Sequence, residues 1–271
     1  MLSKLKTILS IAGSDPTGGA GIQADIRTGV SKGTHVMTAI TGVTVQNSKG
    51  LSEIGLVNPN ILDAQLNAII EEVTPDAIKI GMIGSRENLE VISDFLKTIP
   101  KNVPVVVDPV MKATADGNQL MKDGEKIITP LNYRESILPF SWVITPNIEE
   151  LKILLENNIF NSQDPLSITN NLNTNAVIIK GGHSEESDIQ DILITRRAIY
   201  KNSHRRIECK NLHGTGCVYS TLMAIYLAKG ETLEDAFNKT SSDLFQIINN
   251  SCDYNLGNSS YGPLNINNYC I

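Results

Sequence analysis

Short, nearly continuous apolar runs recur along this chain, and each is cut off by glycine, proline or a polar group. Such runs mark strands buried on both faces of a parallel sheet. Residues 7–12 form the first, stopped by a glycine-rich loop at 13–21, and residues 35–45 form a longer one, stopped by a turn over 46–50. Residues 54–57 predict a short strand. Residues 77–80, 103–107, 141–144 and 176–179 repeat the design and run into Gly81, Asp108, Thr145 and Lys180.

Between these runs the apolar positions switch to helical spacing. Helices are predicted over 21–32, from 59 to about 72, over 86–96, and from Asn147 onward, the last carrying Glu149 and Glu150. Asn58-Pro59 supplies an N-cap and a proline at the first helical position, and Ile61, Leu62, Leu66, Ile69 and Ile70 line that helix's apolar face. Residues 192–195, 198–200 and 205–209 read as short antiparallel additions. The last leads into His213-Gly214-Thr215-Gly216-Cys217, after which Val218, Leu222, Ile225 and Tyr226 recur at helical spacing. A final helix over 232–249 opens on a Thr232/Asp235 pair resembling a capping box, and the Asn-rich end reads as loop or tail. Strands alternating with helices predict an α/β fold, one mostly parallel sheet with helices on both faces. With no internal repeat and no Pro/Ser-rich linker, residues 1–271 read as a single domain.

Composition narrows the function classes. The chain is 41% hydrophobic and 19% charged, which is ordinary for a soluble globular protein. A formal charge of −6 argues against nucleic acid or an anionic membrane as the main partner, since either calls for a basic face. No apolar run approaches the roughly 20 residues of a membrane span, and the N-terminus carries no signal-peptide cleavage pattern. Cys209, Cys217, Cys252 and Cys270 form no CxxC pair, so neither a zinc site nor a disulfide framework is expected, and a reducing cytoplasm fits.

The candidate chemistry lies at the ends of the predicted strands. Gly13, Gln46, Met82, Asp108, Asn147, Lys180 and the turn Gly214-Thr215-Gly216 each follow one, and ligands of open parallel sheets bind beyond the strands' carboxyl ends. Singly, each has a plain reading: Asp108 as a turn cap, Asn147 as a helix cap, Lys180 as a solvated lysine. Asp25, within the first helix, reads as part of a solvated face. Jointly they suit phosphoryl transfer, which needs positive charge on the phosphates, a bridging metal and donors for developing charge. Lys180 supplies fixed charge; Asp108 and Glu150 suit Mg²⁺ held largely through water. The glycine turn at a helix N-terminus suits an anion. Cys217, in the first helical turn, is either a buried apolar residue or a thiolate base with a lowered pKa.

In their order and spacing, eight motifs resemble the hydroxymethylpyrimidine/phosphomethylpyrimidine kinases of thiamine biosynthesis, in the ribokinase superfamily. They are AGSDPTGGAGIQAD (12–25), VTVQN (43–47), KIGMI (79–83), DPVM (108–111), TPNIEE (145–150), KGGH (180–183), HGTGC (213–217) and GPL (262–264). The resemblance implies a ribokinase-like α/β/α fold and a kinase that uses ATP and Mg²⁺. Its substrate would be 4-amino-5-hydroxymethyl-2-methylpyrimidine, taken to the monophosphate and then to the diphosphate. It implies pyrimidine contacts at Gly13, Asp25, Gln46, Met82, Val110 and Cys217. It further implies ATP contacts at Asn147, Lys180, Gly214 and Gly216, metal contacts at Asp108 and Glu150, an anion hole at 214–216, and a homodimer. Most of the superfamily has aspartate as base where this chain has Cys217.

The chain departs from the family pattern at residues 112–117, where a Ser-Gly-Asp-like run is usual, at Ser48 in place of threonine, and at Val218 in place of a small hydroxylic residue. The rival readings are a pyridoxine/pyridoxal kinase of the same branch and a silent module that senses the pyrimidine. A sugar or nucleoside kinase fits less well, because their Gly-Ala-Gly-Asp run is here Gly-Thr-Gly-Cys.

Overall fold

The computed structural model describes residues 5–47, 50–110, 128–156, 167–182, 188–256 and 261–266. Its strands are β1 (Thr7–Ser14), β2 (His35–Asn47), β3 (Gly50–Leu56), β4 (Ala77–Ile80), β5 (Val105–Val107), β6 (Val143–Ile144), β7 (Ala176–Ile179), β8 (Asp188–Thr195) and β9 (Ile199–Arg205). They form one sheet in the order β3-β2-β1-β4-β5-β6-β7-β8-β9. The run from β2 to β7 is parallel, and β3, β8 and β9 add antiparallel edges.

The helices are α1 (Gly21–Ser31), α2 (Pro59–Glu72), α3 (Arg86–Thr98), α4 (Pro130–Ser136), α5 (Ile148–Leu154), α6 (Ser167–Asn171), α7 (Thr215–Ala228) and α8 (Leu233–Ser251). Alternate strand residues point to opposite faces, so each strand feeds two cores. Leu9, Ile78, Val105 and Val107 pack against Leu66, Ile92, Tyr133 and Leu154 of α2 to α5. Ile8, Ala77, Val106 and Val143 face Tyr219 and Met223 of α7 and Phe237 of α8. Helix α7 is buried along most of its length from Val218 onward, as a helix apolar nearly all round must be. Among the described residues no helix is long and apolar enough to cross a membrane.

Local signals set most boundaries. Asn58 accepts a hydrogen bond from Asn60 N at 2.9 Å, with Pro59 at the first position of α2. Thr232 Oγ1 accepts one from Asp235 N at 3.1 Å to start α8. Two expectations need correction. β2 does not stop at Val45: it runs to Asn47 and pairs with β3 as a hairpin, with a register break between Val45 and Gln46. The expected strand over 205–209 is absent. Residues 199–205 form one polar edge strand, and beyond Arg205 no neighbouring strand is there to take the ladder. The connection to α7 is held instead by Asn211, whose Nδ2 donates to the carbonyls of Ser251 and Tyr254 at 2.6 and 2.5 Å. The divergent loop over 112–118 lies outside the described residues.

Candidate active site

Strand order decides where a cavity opens. The chain moves from β1 to β2 on one side, then crosses to β4 on the other. The loops after β1 and β4 therefore part and leave a crevice beyond the strands' carboxyl ends. A cavity of ≈ 330 Å³ lies there, and every residue singled out from the sequence lines it except Asp25.

Lys180, at the end of β7, places Nζ 3.0 Å from Asp108 Oδ1 and 3.9 Å from Glu150 Oε2. Asp108 ends β5 and is only 2% exposed. Asn147 and Glu150 cap α5 reciprocally: Glu150 N donates to Asn147 Oδ1 and Asn147 N to Glu150 Oε2, both at 2.8 Å. That box aims Glu150 at the lysine. Burial pushes the Glu150 carboxyl above the usual carboxylate range; Lys180 pulls it down and Asp108 pushes it up again. Burial disfavours the Lys180 cation, but Asp108 and Glu150 outweigh it and raise its pKa. Two carboxyl groups thus share one lysine. Among the described residues no three His, Cys, Asp or Glu side chains cluster as a metal cage. As paired oxygen donors beside a lysine, Asp108 and Glu150 suit a hard cation such as Mg²⁺ that keeps most of its waters.

The glycine turn faces this pair. Gly214 caps α7 in the left-handed region at φ +88°, and a Cβ there would stand 1.8 Å from Gly19 O, so only glycine lets the two loops touch backbone to backbone. A Cβ on Gly216 would stand 3.4 Å from Lys180 Nζ and 3.5 Å from Asp108 Oδ2. The first N–H groups of α7 consequently open on the same space as the lysine. Thr215 does not join them: its hydroxyl and its N–H both donate to Leu212 O.

Cys217 follows in the first turn of α7. Of its two readings the buried one is favoured: burial pushes the thiol up to about 11, Lys79 pulls it down, and Asp25 and Asp108 push it up further. The dipole of a helix end does not compensate for that desolvation. Asp25 is not on a solvated face either. It is fully buried beneath the cavity, its carboxylate taken by Lys79 Nζ at 2.8 and 3.0 Å, Thr221 Oγ1 at 2.7 Å and Ser10 Oγ at 2.5 Å. Lys79, not Asp25, lines the cavity. Burial works against the Lys79 cation, but Asp25 reverses that and holds its pKa above the usual lysine value.

Met82 lies across the glycines of the opposite wall: a Cβ on Gly13 would meet its Cε at 2.3 Å, and one on Gly42 at 3.4 Å. Val110 adds an apolar contact to the lining. Besides Lys79, Asp15 and His213 carry contacts that the sequence alone did not single out. Asp15, 1% exposed, accepts from Thr17 N at 2.9 Å and Ala20 N at 2.8 Å within the first loop, and from His213 Nε2 at 2.9 Å across it. Burial opposes its charge, yet hydrogen bonds from His213, Gln46 and Thr17 hold it well below the usual carboxylate range. Both residues lay inside quoted motifs, and the signal available was an acid in one glycine loop and a histidine in the other. The cavity is also walled by Leu244, Phe245 and Ile248 of α8 and by Ile207.

Comparison with known proteins gives this site its context. The family model described as phosphomethylpyrimidine kinase matches residues 15–265. A hydroxymethylpyrimidine/phosphomethylpyrimidine kinase of Staphylococcus aureus (strain MRSA252) is 34% identical over 97% of this chain and 94% of its own length. The crystal structure of phosphomethylpyrimidine kinase from Clostridium difficile 630 is 33% identical, with a TM-score of 0.74 over 89% of this chain and 98% of that one. Pyridoxal kinase from Staphylococcus aureus in complex with AMP-PCP and pyridoxal is 26% identical, with a TM-score of 0.80 over 96% of this chain and 93% of that one. Matched over nearly all of its length, and sharing its ribokinase-like sheet with solved relatives, this chain belongs to the phosphomethylpyrimidine kinase family.

Proposed function

We propose that this protein transfers the γ-phosphoryl group of ATP to the hydroxymethyl group of 4-amino-5-hydroxymethyl-2-methylpyrimidine, and then phosphorylates the monophosphate to the diphosphate, as a step of thiamine biosynthesis. The observation that carries this reading is the Lys180–Asp108 pair at 3.0 Å, fronted by Gly216 in a cavity that also holds Gln46 and Met82. Lys180 and the first N–H groups of α7 hold the transferring phosphoryl oxygens, where charge develops. Asp108 and Glu150 would hold Mg²⁺, which when bound neutralises phosphate charge. Asn147 lies beside the nucleotide phosphates, and the apolar wall of α8 receives the base. Gly13, Met82 and Val110 hold the pyrimidine ring, and Gln46 offers it both a donor and an acceptor. Asp25 acts from below, by fixing Lys79.

Cys217 takes the proton of the substrate hydroxyl as its minority thiolate. With a thiol pKa of about 11, forming that thiolate at pH 7 costs about 5 kcal/mol at ~1.4 kcal/mol per unit. The reaction tolerates this because bond-making to the phosphoryl group runs late in a loose transition state. The chain acts as one domain in the cytoplasm, and as a homodimer for which the exposed Val43 and Val45, on one face of β2, provide an apolar contact.

The test is incubation with ATP, Mg²⁺ and the pyrimidine, with products followed by mass. Successive appearance of mono- and diphosphate is expected; ligand binding without ADP release would favour a silent sensor. A pyridoxal kinase is the second reading, favoured by the higher TM-score of that neighbour, and pyridoxal belongs in the same assay.

A further inference from the structure

The wall that α8 gives the cavity ends beside a pair of thiols. Cys209 Sγ donates to Ile248 O at 3.7 Å, and Cys252 Sγ donates to the same oxygen at 3.3 Å. The two sulfurs therefore stand no farther apart than those contacts laid end to end. The backbones that carry them are held together independently. Asn211 Nδ2 donates to the carbonyls of Ser251 and Tyr254, on either side of Cys252. Gly262 N donates to Lys210 O at 3.2 Å, and a Cβ on Gly262 would stand 2.1 Å from Asn211 Oδ1, so the segment has no room to slide away. Rotation about the two Cα–Cβ bonds is the motion left to bring sulfur to sulfur. Both cysteines are half-buried, open to a small reagent. Burial, and then the Cys209 thiol at its side, raises the Cys252 thiol to about 11.

The pair spans two walls of the cavity. Ile248, whose carbonyl both thiols share, lines it, and so do Leu212, His213 and Gly214, which follow Cys209 in the chain. Neither cysteine has a part in the chemistry described above.

We propose that Cys209 and Cys252 are a site of reversible oxidative modification, closed to a disulfide by a low-molecular-weight disulfide such as oxidised glutathione, and that closure fastens the segment leading to the glycine turn onto the end of α8. A reducing cytoplasm keeps the dithiol open, and a pool turned oxidising closes it. The thiolate of one cysteine attacks a sulfur of the reagent and expels one small thiolate, leaving a mixed disulfide. The thiolate of the other attacks the protein-bound sulfur, forms the Cys209–Cys252 bond and expels the second. Two protein thiols are oxidised, one reagent disulfide is reduced, and the two protons pass to the released thiolates. The walls so joined must part to release the nucleotide, so the closed form turns over more slowly. That consequence rests on the kinase reading; the cross-link does not.

The experiment treats the full chain with oxidised glutathione, alkylates the remaining thiols, and maps the peptides by mass without reduction. The peptide holding Cys209 is expected joined to the one holding Cys252, short of two hydrogens, and a thiol reductant separates them. The melting temperature should rise by roughly 4–8 °C on closure and return on reduction. A glutathione adduct without the cross-link, or a bond that takes Cys217 or Cys270 instead, overturns the proposal. The coupled ADP assay on the same samples should show a loss of kcat that the reductant restores. Cys252→Ser and Cys209→Ser, melted alongside, should match the reduced wild type and keep their kcat in the oxidant. An equal loss in both variants, or an unchanged kcat in chain shown to carry the bond, overturns the link to the cavity. Absence of turnover by the reduced wild type overturns the kinase reading instead, and the peptide map still decides the site.

Discussion

Gly216→Ala separates stability from chemistry at one atom. Gly216 is the second residue of α7, and its substitution requires no left-handed backbone. An added Cβ would stand 3.4 Å from Lys180 Nζ and 3.5 Å from Asp108 Oδ2, ordinary contacts that a flexible lysine accommodates. Alanine in place of a helical glycine contributes up to about 0.5–1 kcal/mol. That corresponds to an unchanged melting temperature or a rise of a few degrees, at roughly 2–4 °C per kcal/mol for a chain of this size. The methyl nonetheless fills the space between the helix N-terminus and the lysine, where the transferring group must sit. Turnover should fall by about 10²–10³, the scale of losing one preorganised donor. A coupled ADP-release assay and a thermal melt on one preparation read both quantities. Full activity in a variant of equal or greater stability would refute the placement of the phosphoryl group.

Lys79→Met leaves Asp25 charged and buried, and should lower stability by about 3–5 kcal/mol, whereas Lys79→Met with Asp25→Leu recovers most of it; chemical denaturation checks both. The raised thiol pKa of Cys217 makes turnover climb about tenfold per unit between pH 7 and 9 if the thiolate is the base, and Cys217→Ala should flatten that climb as it lowers turnover. A flat wild-type profile would remove the base role. For Asp15 the folded pKa lies below the unfolded one, so its contribution to stability is complete above about pH 4, the ordinary aspartate value, and is lost as pH falls toward the folded value. Asp15→Asn should accordingly lose less stability than wild type in acid melts below pH 4.

The parallel strands were legible because burial on both faces leaves an unbroken apolar run, as in residues 77–80 and 176–179. Lys79 shows the limit of that signal: it sits inside such a run, and only the packing of α1 and α7 over it reveals Asp25 as its partner and Thr221 as a second donor to Asp25. The rim was legible because its polar residues directly follow strands. The 205–209 error came from apolar residues at alternate positions, a pattern that makes a strand only where a neighbour can pair with it. Asp15 and His213 meet across 198 positions, and no local pattern encodes such a contact. Cys217 stayed open between a buried residue and a thiolate because a dipole is read from position in a helix, while desolvation depends on what covers the site.

Phosphoryl transfer to an aminopyrimidine alcohol is tested most directly by kcat/KM for that alcohol and for pyridoxal under identical ATP and Mg²⁺. A larger value is expected for the aminopyrimidine, with mono- and then diphosphate formed. Turnover of pyridoxal with none of the aminopyrimidine would contradict it.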